Sequence, residues 1–83
     1  MSKVLVYTIR GCPFCRHAKK LLDSKGVNYE EIDVTDLQKK REAKEKFDWP
    51  TLPIILINEE LIGGYDELRA LERENKLDEL LSS

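Results

Sequence analysis

The sequence predicts an α/β fold, a four-stranded mixed sheet flanked by helices with its elements in the order βαβαββα. Three observations predict it. The segments "KVLVYTI" and "IILIN" are short runs of β-branched, aromatic and apolar residues, the composition of buried strands. A helix-length segment separates the first two strand-like stretches, and a strand, helix and strand in succession favour a parallel pair joined by a right-handed crossover. Only a short turn separates the last two strands, which favours an antiparallel hairpin.

The first strand is read from Lys3 to Ile9 and is broken by Gly11 and Pro13. A helix then runs from Pro13 to Ser24, with Ala18, Leu21 and Leu22 on its inward face and Gly26 as its stop. "VNYEEIDV" alternates in part and reads as a second strand from Val27 to Asp33 or Val34. Thr35 and Gln38 have the spacing of a capping box and open a second helix reaching Phe47, with Leu37, Ala43 and Phe47 inward. "DWPTLP" is a stiff loop with two prolines. Ile54 to Ile57 form a wholly apolar third strand, which is expected to be central and covered on both faces. A turn at Asn58 to Glu60 leads to a short fourth strand at Leu61 and Ile62. "GGYDEL" turns into a last helix with Leu68 and Leu71 inward, and "KLDELL" adds a further helical turn or two.

At 83 residues the chain is expected to form one domain, 1–83, with one modest core. Charged residues make up 36% and hydrophobic residues 41%, as in globular proteins. The 14 basic and 16 acidic residues leave a net charge of -2, which gives no drive toward nucleic acid or anionic membranes. No apolar run approaches a bilayer span, and "MSKVLVYTIR" reads as a strand rather than a signal peptide. A cytoplasmic location is expected. There, a close cysteine pair is more often redox-active or metal-binding than structural.

The pair is Cys12 and Cys15, in "RGCPFC". Pro13 suits the first position of a helix, where its fixed φ fits and its missing N–H costs nothing. Cys12 is then the N-cap, with its sulfur near the free amides of Phe14 and Cys15 and at the positive end of the helix dipole. Arg10 adds a nearby cation. These effects are expected to lower the Cys12 pKa below the free value of about 8.5. Cys15, one turn inside the helix, is expected to be less exposed and closer to normal. In this reading Cys12 attacks a disulfide and Cys15 resolves the mixed disulfide. Three other readings compete. A structural disulfide here would close a very short loop, for which chain entropy gives only ~2 kcal/mol. A zinc site normally takes four ligands, whereas the chain offers two cysteines and the single His17. Inert buried thiols fit poorly with the Gly, Pro and Arg around the pair.

Three motifs in the same order resemble the glutaredoxin family: "CPFC", "TLP" at Thr51 to Pro53, and "IGGYDEL" at Ile62 to Leu68. Length and element order agree, so the resemblance spans the whole chain. It implies a thioredoxin-like fold and disulfide reduction using glutathione. It implies that Cys12 forms a mixed disulfide with glutathione and that Cys15 resolves it. It also implies a cis peptide bond at Leu52–Pro53, with the Leu52 backbone beside Cys12 as an edge for the extended glutathione peptide. Thr51, Leu52, Pro53, Gly64, Tyr65 and Asp66 would line the glutathione site, with the Tyr65 and Asp66 amides on the γ-glutamyl carboxylate and the Asp66 side chain on its ammonium. Arg10 matches the basic position facing the glycine carboxylate. A glycine pair before a helix N-terminus suits close approach of a carboxylate independently of the family.

By the same resemblance the partners are glutathione and disulfide-containing or glutathionylated proteins. No metal is required, neither nucleic acid nor membrane is bound, and a monomer is expected. Trp49 and Pro50 in "DWPTLP" look more like the family's monothiol members, which assemble iron–sulfur clusters. A second reading is therefore cluster binding by a dimer, with Cys12 from each chain and two glutathione thiols as ligands. A third is a redoxin recharged by thioredoxin reductase.

Overall fold

The structure is a computed structural model and describes residues 3–82. Its sheet has four strands: β1 (Val4–Thr8), β2 (Glu30–Asp33), β3 (Ile54–Ile57) and β4 (Glu60–Gly63). Their order across the sheet is β2-β1-β3-β4. β1 runs parallel to β2, with Leu5 opposite Glu30 and Thr8 opposite Asp33. β1 and β3 are antiparallel, and so are β3 and β4. The mixed sheet, the parallel pair, the closing hairpin and the central position of the apolar strand all agree with the sequence.

Four helices cover the sheet: α1 (Pro13–Ser24), α2 (Leu37–Phe47), α3 (Tyr65–Arg73) and α4 (Leu77–Ser82). The period-two alternation of the central strands divides the core in two. Val4, Val6, Ile55 and Ile57 face one side and pack with Ala18 and Leu22 of α1, Leu68 of α3 and Leu77 of α4. Ile54 and Leu56 face the other, in a second cluster with Cys15, Val34, Leu52 and Ala43 of α2. Each fully buried Leu or Ile in the first cluster contributes about 1.5–3 kcal/mol relative to exposure. Lys25 ties the end of α1 to the last two helices, at 2.7 Å from Glu72 and 3.1 Å from Asp78.

The structure corrects several element edges. β1 begins at Val4, because Lys3 instead exchanges backbone and side-chain hydrogen bonds with Asn58. β2 begins at Glu30 rather than Val27; it is an edge strand, and Val27 and Tyr29 pack onto the core from outside the ladder. The cap of α2 is Asp36 rather than Thr35, with Asp36 Oδ1 accepting from the Lys39 N–H at 3.1 Å. Thr35 serves the neighbouring loop: its N–H donates to Asp33 Oδ1 and its hydroxyl accepts from the Arg10 N–H. Leu37, expected to face inward, is 65% exposed. It stands six residues before Ala43, which at about 100° per residue places it about 120° away around the helix. Phe47 does turn inward, meeting Tyr7 edge-on at 5.1 Å.

Candidate active site

The Cys12 sulfur sits where the chain leaves β1 and enters α1. Cys12 has extended backbone angles, φ -104° and ψ 107°, and Pro13 occupies the first helical position. The sulfur accepts a hydrogen bond from the Cys15 N–H at 3.2 Å, so an orphan amide of the first turn is directed at it. The preceding loop is held from outside: the Arg10 N–H donates to Thr35 Oγ1 at 2.9 Å. On the far side, Cys12 Sγ donates to the Leu52 carbonyl at 3.8 Å, and the Leu52–Pro53 peptide bond is cis.

Both cysteines are free thiols, and they differ sharply in surroundings. Cys12 is partly exposed, whereas Cys15 is 2% exposed. Burial, and after it the contact with the Cys12 thiol, push the Cys15 thiol up to about 12. The Ile9 amide and the Lys19 ammonium act in the opposite direction without reversing the shift. This corrects the expectation of a near-normal Cys15 thiol. The spacing places Cys15 one turn into the helix, but its burial depends on Val34, Leu52 and Ile54, which are distant in sequence.

Two clefts flank Cys12. One, of about 210 Å³, is lined by Thr51, Leu52 and Pro53 on one wall, by Gly64, Tyr65, Asp66 and Glu67 on the other, and by Phe14 at its mouth. Six of the expected glutathione-site residues therefore share one cleft. The other, of about 380 Å³, contains Arg10, Cys12 and Cys15 together with Arg16, Lys19, Glu31 and Asp33. Arg10 thus lines a different cleft from the other six, together with Cys12. In the first cleft Tyr65 and Asp66 form the opening turn of α3, and the Gly64 N–H donates to Glu67 Oε1 at 2.9 Å. Gly63 has φ +121°, and a Cβ there would come within 3.0 Å of the Trp49 ring. Trp49 therefore packs beneath the glycine pair.

Some residues of these clefts carry no role in the sequence analysis above. Phe14 is 56% exposed, and its ring lies 6.4 Å from that of Tyr65, with His17 5.5 Å from the same tyrosine. Glu67, three residues after Gly64, could have been found from capping-box spacing. Lys19 and Glu31 join at 3.0 Å through an ion pair that links α1 to β2, and no local pattern announces it. Among the described residues, no group of three or more His, Cys, Asp or Glu is arranged to hold a metal ion. No helix among them is long and apolar enough to cross a membrane.

Comparison with known proteins places this geometry in context. The sequence profile of the glutaredoxin family matches residues 4–62. Glutaredoxin 1 of Rickettsia prowazekii is 46% identical over 86 residues, covering 98% of this chain and 88% of that protein. A glutaredoxin of Pseudomonas aeruginosa is 45% identical over 84 residues, covering all of both chains. The crystal structure of a buckwheat glutaredoxin–glutathione complex superposes with a TM-score of 0.88 at 25% identity, covering 98% of this chain and 77% of the other.

Proposed function

The chain belongs to the glutaredoxin family and carries a close cysteine pair, which makes it a thiol–disulfide oxidoreductase of thioredoxin-like fold; we propose that glutathione is its reductant and that glutathionylated proteins and protein disulfides are its substrates. The observation that carries this reading is the Cys12 sulfur, capped by the Cys15 amide and set against the carbonyl of Leu52, which lines a cleft of about 210 Å³. A thiolate at that position is the nucleophile.

With a glutathionylated protein, the Cys12 thiolate attacks the glutathione sulfur. The protein sulfur leaves as a thiolate and takes a proton from solvent, while glutathione remains bound to Cys12. A second glutathione thiolate then attacks the adduct, releasing oxidised glutathione and restoring Cys12. With a protein disulfide, Cys12 forms a mixed disulfide with one sulfur, and Cys15 attacks Cys12 to expel it. The Cys12–Cys15 disulfide is afterwards reduced by two glutathione molecules. Glutaredoxin potentials of about -200 to -230 mV lie within reach of the glutathione pool.

Glutathione is a tripeptide with two carboxylates and one ammonium. The opening turn of α3 presents the Tyr65 and Asp66 amides, a natural seat for a carboxylate. The exposed Asp66 carboxylate beside them matches an ammonium, and the Leu52 backbone offers an edge for strand-like pairing. Arg10, in the cleft that Cys12 also lines, supplies a cation for the second carboxylate. The glutathione-bound buckwheat relative, alike over nearly the whole chain, supports the same assignment.

The test is steady-state turnover of a glutathionylated peptide as glutathione is varied. Saturable turnover, abolished in Cys12→Ser, is the expected outcome. Failure of glutathione to reduce the oxidised protein, with rapid reduction by thioredoxin reductase, would overturn the choice of reductant.

A further inference from the structure

The cleft on the Arg10 side holds a charge arrangement that the chemistry of Cys12 does not use. Cys15 and Lys19 are four residues apart on α1, so they share one face of the helix, a turn apart, and both line this cleft. Lys19 is held in place. Its Nζ lies 3.0 Å from Glu31 Oε2, and the same oxygen accepts from Thr8 Oγ1 at 2.8 Å. Thr8 is 3% exposed, so one end of this clamp is anchored in the sheet, while the Lys19 and Glu31 side chains are 28% and 41% exposed. Glu31 holds the Lys19 ammonium above its ordinary value, and Lys19 holds the Glu31 carboxyl below its own. Both groups therefore remain charged across the neutral range.

Cys15 meets an opposing requirement. It is buried and its thiol is pushed up to about 12, yet it must attack as a thiolate. The groups facing it can be named element by element. On α1 they are the Cys12 thiol, Lys19 and Arg16, and Arg16 is the next residue, about 100° away around the helix. From the loop after β1 come Arg10 and the Ile9 amide, and from β2 come Glu31 and Asp33. Val34, Leu52 and Ile54 of its buried cluster carry no charge. Lys19 is the cation that shares the helical face of Cys15.

We propose that Lys19, clamped by Glu31 and Thr8, is a positioning residue for the resolving step: it fixes a positive charge beside Cys15 and favours the anion with which Cys15 attacks Cys12. The proposal rests on the resolving role given to Cys15 under the proposed function. In that step the Cys15 proton passes to solvent, the Cys15–Cys12 bond forms, and the bond from Cys12 to the substrate sulfur breaks. The substrate leaves as a thiolate; the cysteine pair is oxidised and the substrate disulfide reduced.

The test is stopped-flow reaction of the reduced protein with one equivalent of 5,5′-dithiobis(2-nitrobenzoate). Attack by Cys12 releases one coloured thiolate, and resolution by Cys15 releases the second. Losing the cation lowers the thiolate population at Cys15, and the higher nucleophilicity of the more basic sulfur returns part of this. Lys19→Met is expected to slow the second phase relative to the first. Lys19→Arg is expected to restore the wild-type ratio, which a purely structural defect would not predict. An unchanged ratio in Lys19→Met, or a loss that Lys19→Arg shares, overturns the proposal. Cys15→Ser separates the two levels of the argument. If the wild-type protein shows a single phase like this variant, the resolving role itself is wrong.

Discussion

Replacing Gly63 with alanine would test how the cleft beside Cys12 is built. Gly63 has φ +121°, outside the range that a side chain tolerates, and its new Cβ would lie 2.9 Å from Glu67 Cγ and 3.0 Å from two carbons of the Trp49 ring. The backbone conformation costs about 1–3 kcal/mol for a residue other than glycine. The overlap adds about 1–3 kcal/mol, because the indole is wedged and the Glu67 carboxylate is engaged by the Gly64 N–H. The sum, about 2–6 kcal/mol, is a large share of the roughly 4–12 kcal/mol expected for a chain of this size. Urea unfolding measures it directly, and the midpoint should fall by roughly 1 M or more. Gly26→Ala is the internal reference: φ there is +68°, but nothing lies within 4 Å of the added methyl, so only the backbone cost of about 1 kcal/mol applies. If Gly63→Ala unfolds within about 0.5 kcal/mol of wild type, or no earlier than Gly26→Ala, the packing of Trp49 beneath the glycine pair is wrong.

Further outcomes can be stated for other residues. Asp66→Ala is expected to weaken glutathione binding about tenfold by calorimetry, as for a lost hydrogen bond to a charged group, while costing under about 1 kcal/mol in stability. Equal affinity would reduce Asp66 to a helix-end charge. Leu22→Ala, at a site with no exposure, should cost about 2–5 kcal/mol, whereas Leu37→Ala, at 65% exposure, should cost under about 0.5 kcal/mol. Comparable losses would contradict the orientation of α2. Glu31→Gln should lower stability at pH 7 by up to about 1 kcal/mol, a modest figure because the Glu31 side chain is 41% exposed. Glu31 is held below its ordinary 4.5, by Lys19 first and then by Thr8, so its contribution is present above pH 4.5 and fades as pH falls through its folded value. Lys19 is held above 10.5, so its share is present below that pH and is lost as pH rises beyond it. A wild-type minus Glu31→Gln difference that grows in acid would refute this assignment.

Much of the architecture was legible because local signals and tertiary packing coincide. "IILI" is apolar on both faces and lies between β1 and β4 with all four residues buried. Pro13 and Gly26 mark the ends of α1, and the structure gives the same span that the sequence does. One error falls where two local signals compete. Thr35 and Asp36 can each cap a helix; the aspartate does so, because the threonine hydroxyl is taken by the Arg10 amide. The site divides similarly. Cys12 as an N-cap follows from Cys-Pro at a strand-to-helix junction. The depth of Cys15 and the Thr8–Glu31–Lys19 clamp depend on contacts between elements that no short window contains.

The central claim is a division of labour, in which Cys12 is the sulfur that meets the substrate and Cys15 is held back until a mixed disulfide forms. Brief alkylation of the fully reduced protein with iodoacetamide at neutral pH, followed by peptide mapping, tests it most directly. Cys15 is 2% exposed and its thiol is pushed up to about 12, so label is expected on Cys12 well before Cys15. Label appearing first on Cys15, or on both cysteines at the same rate, would contradict the account.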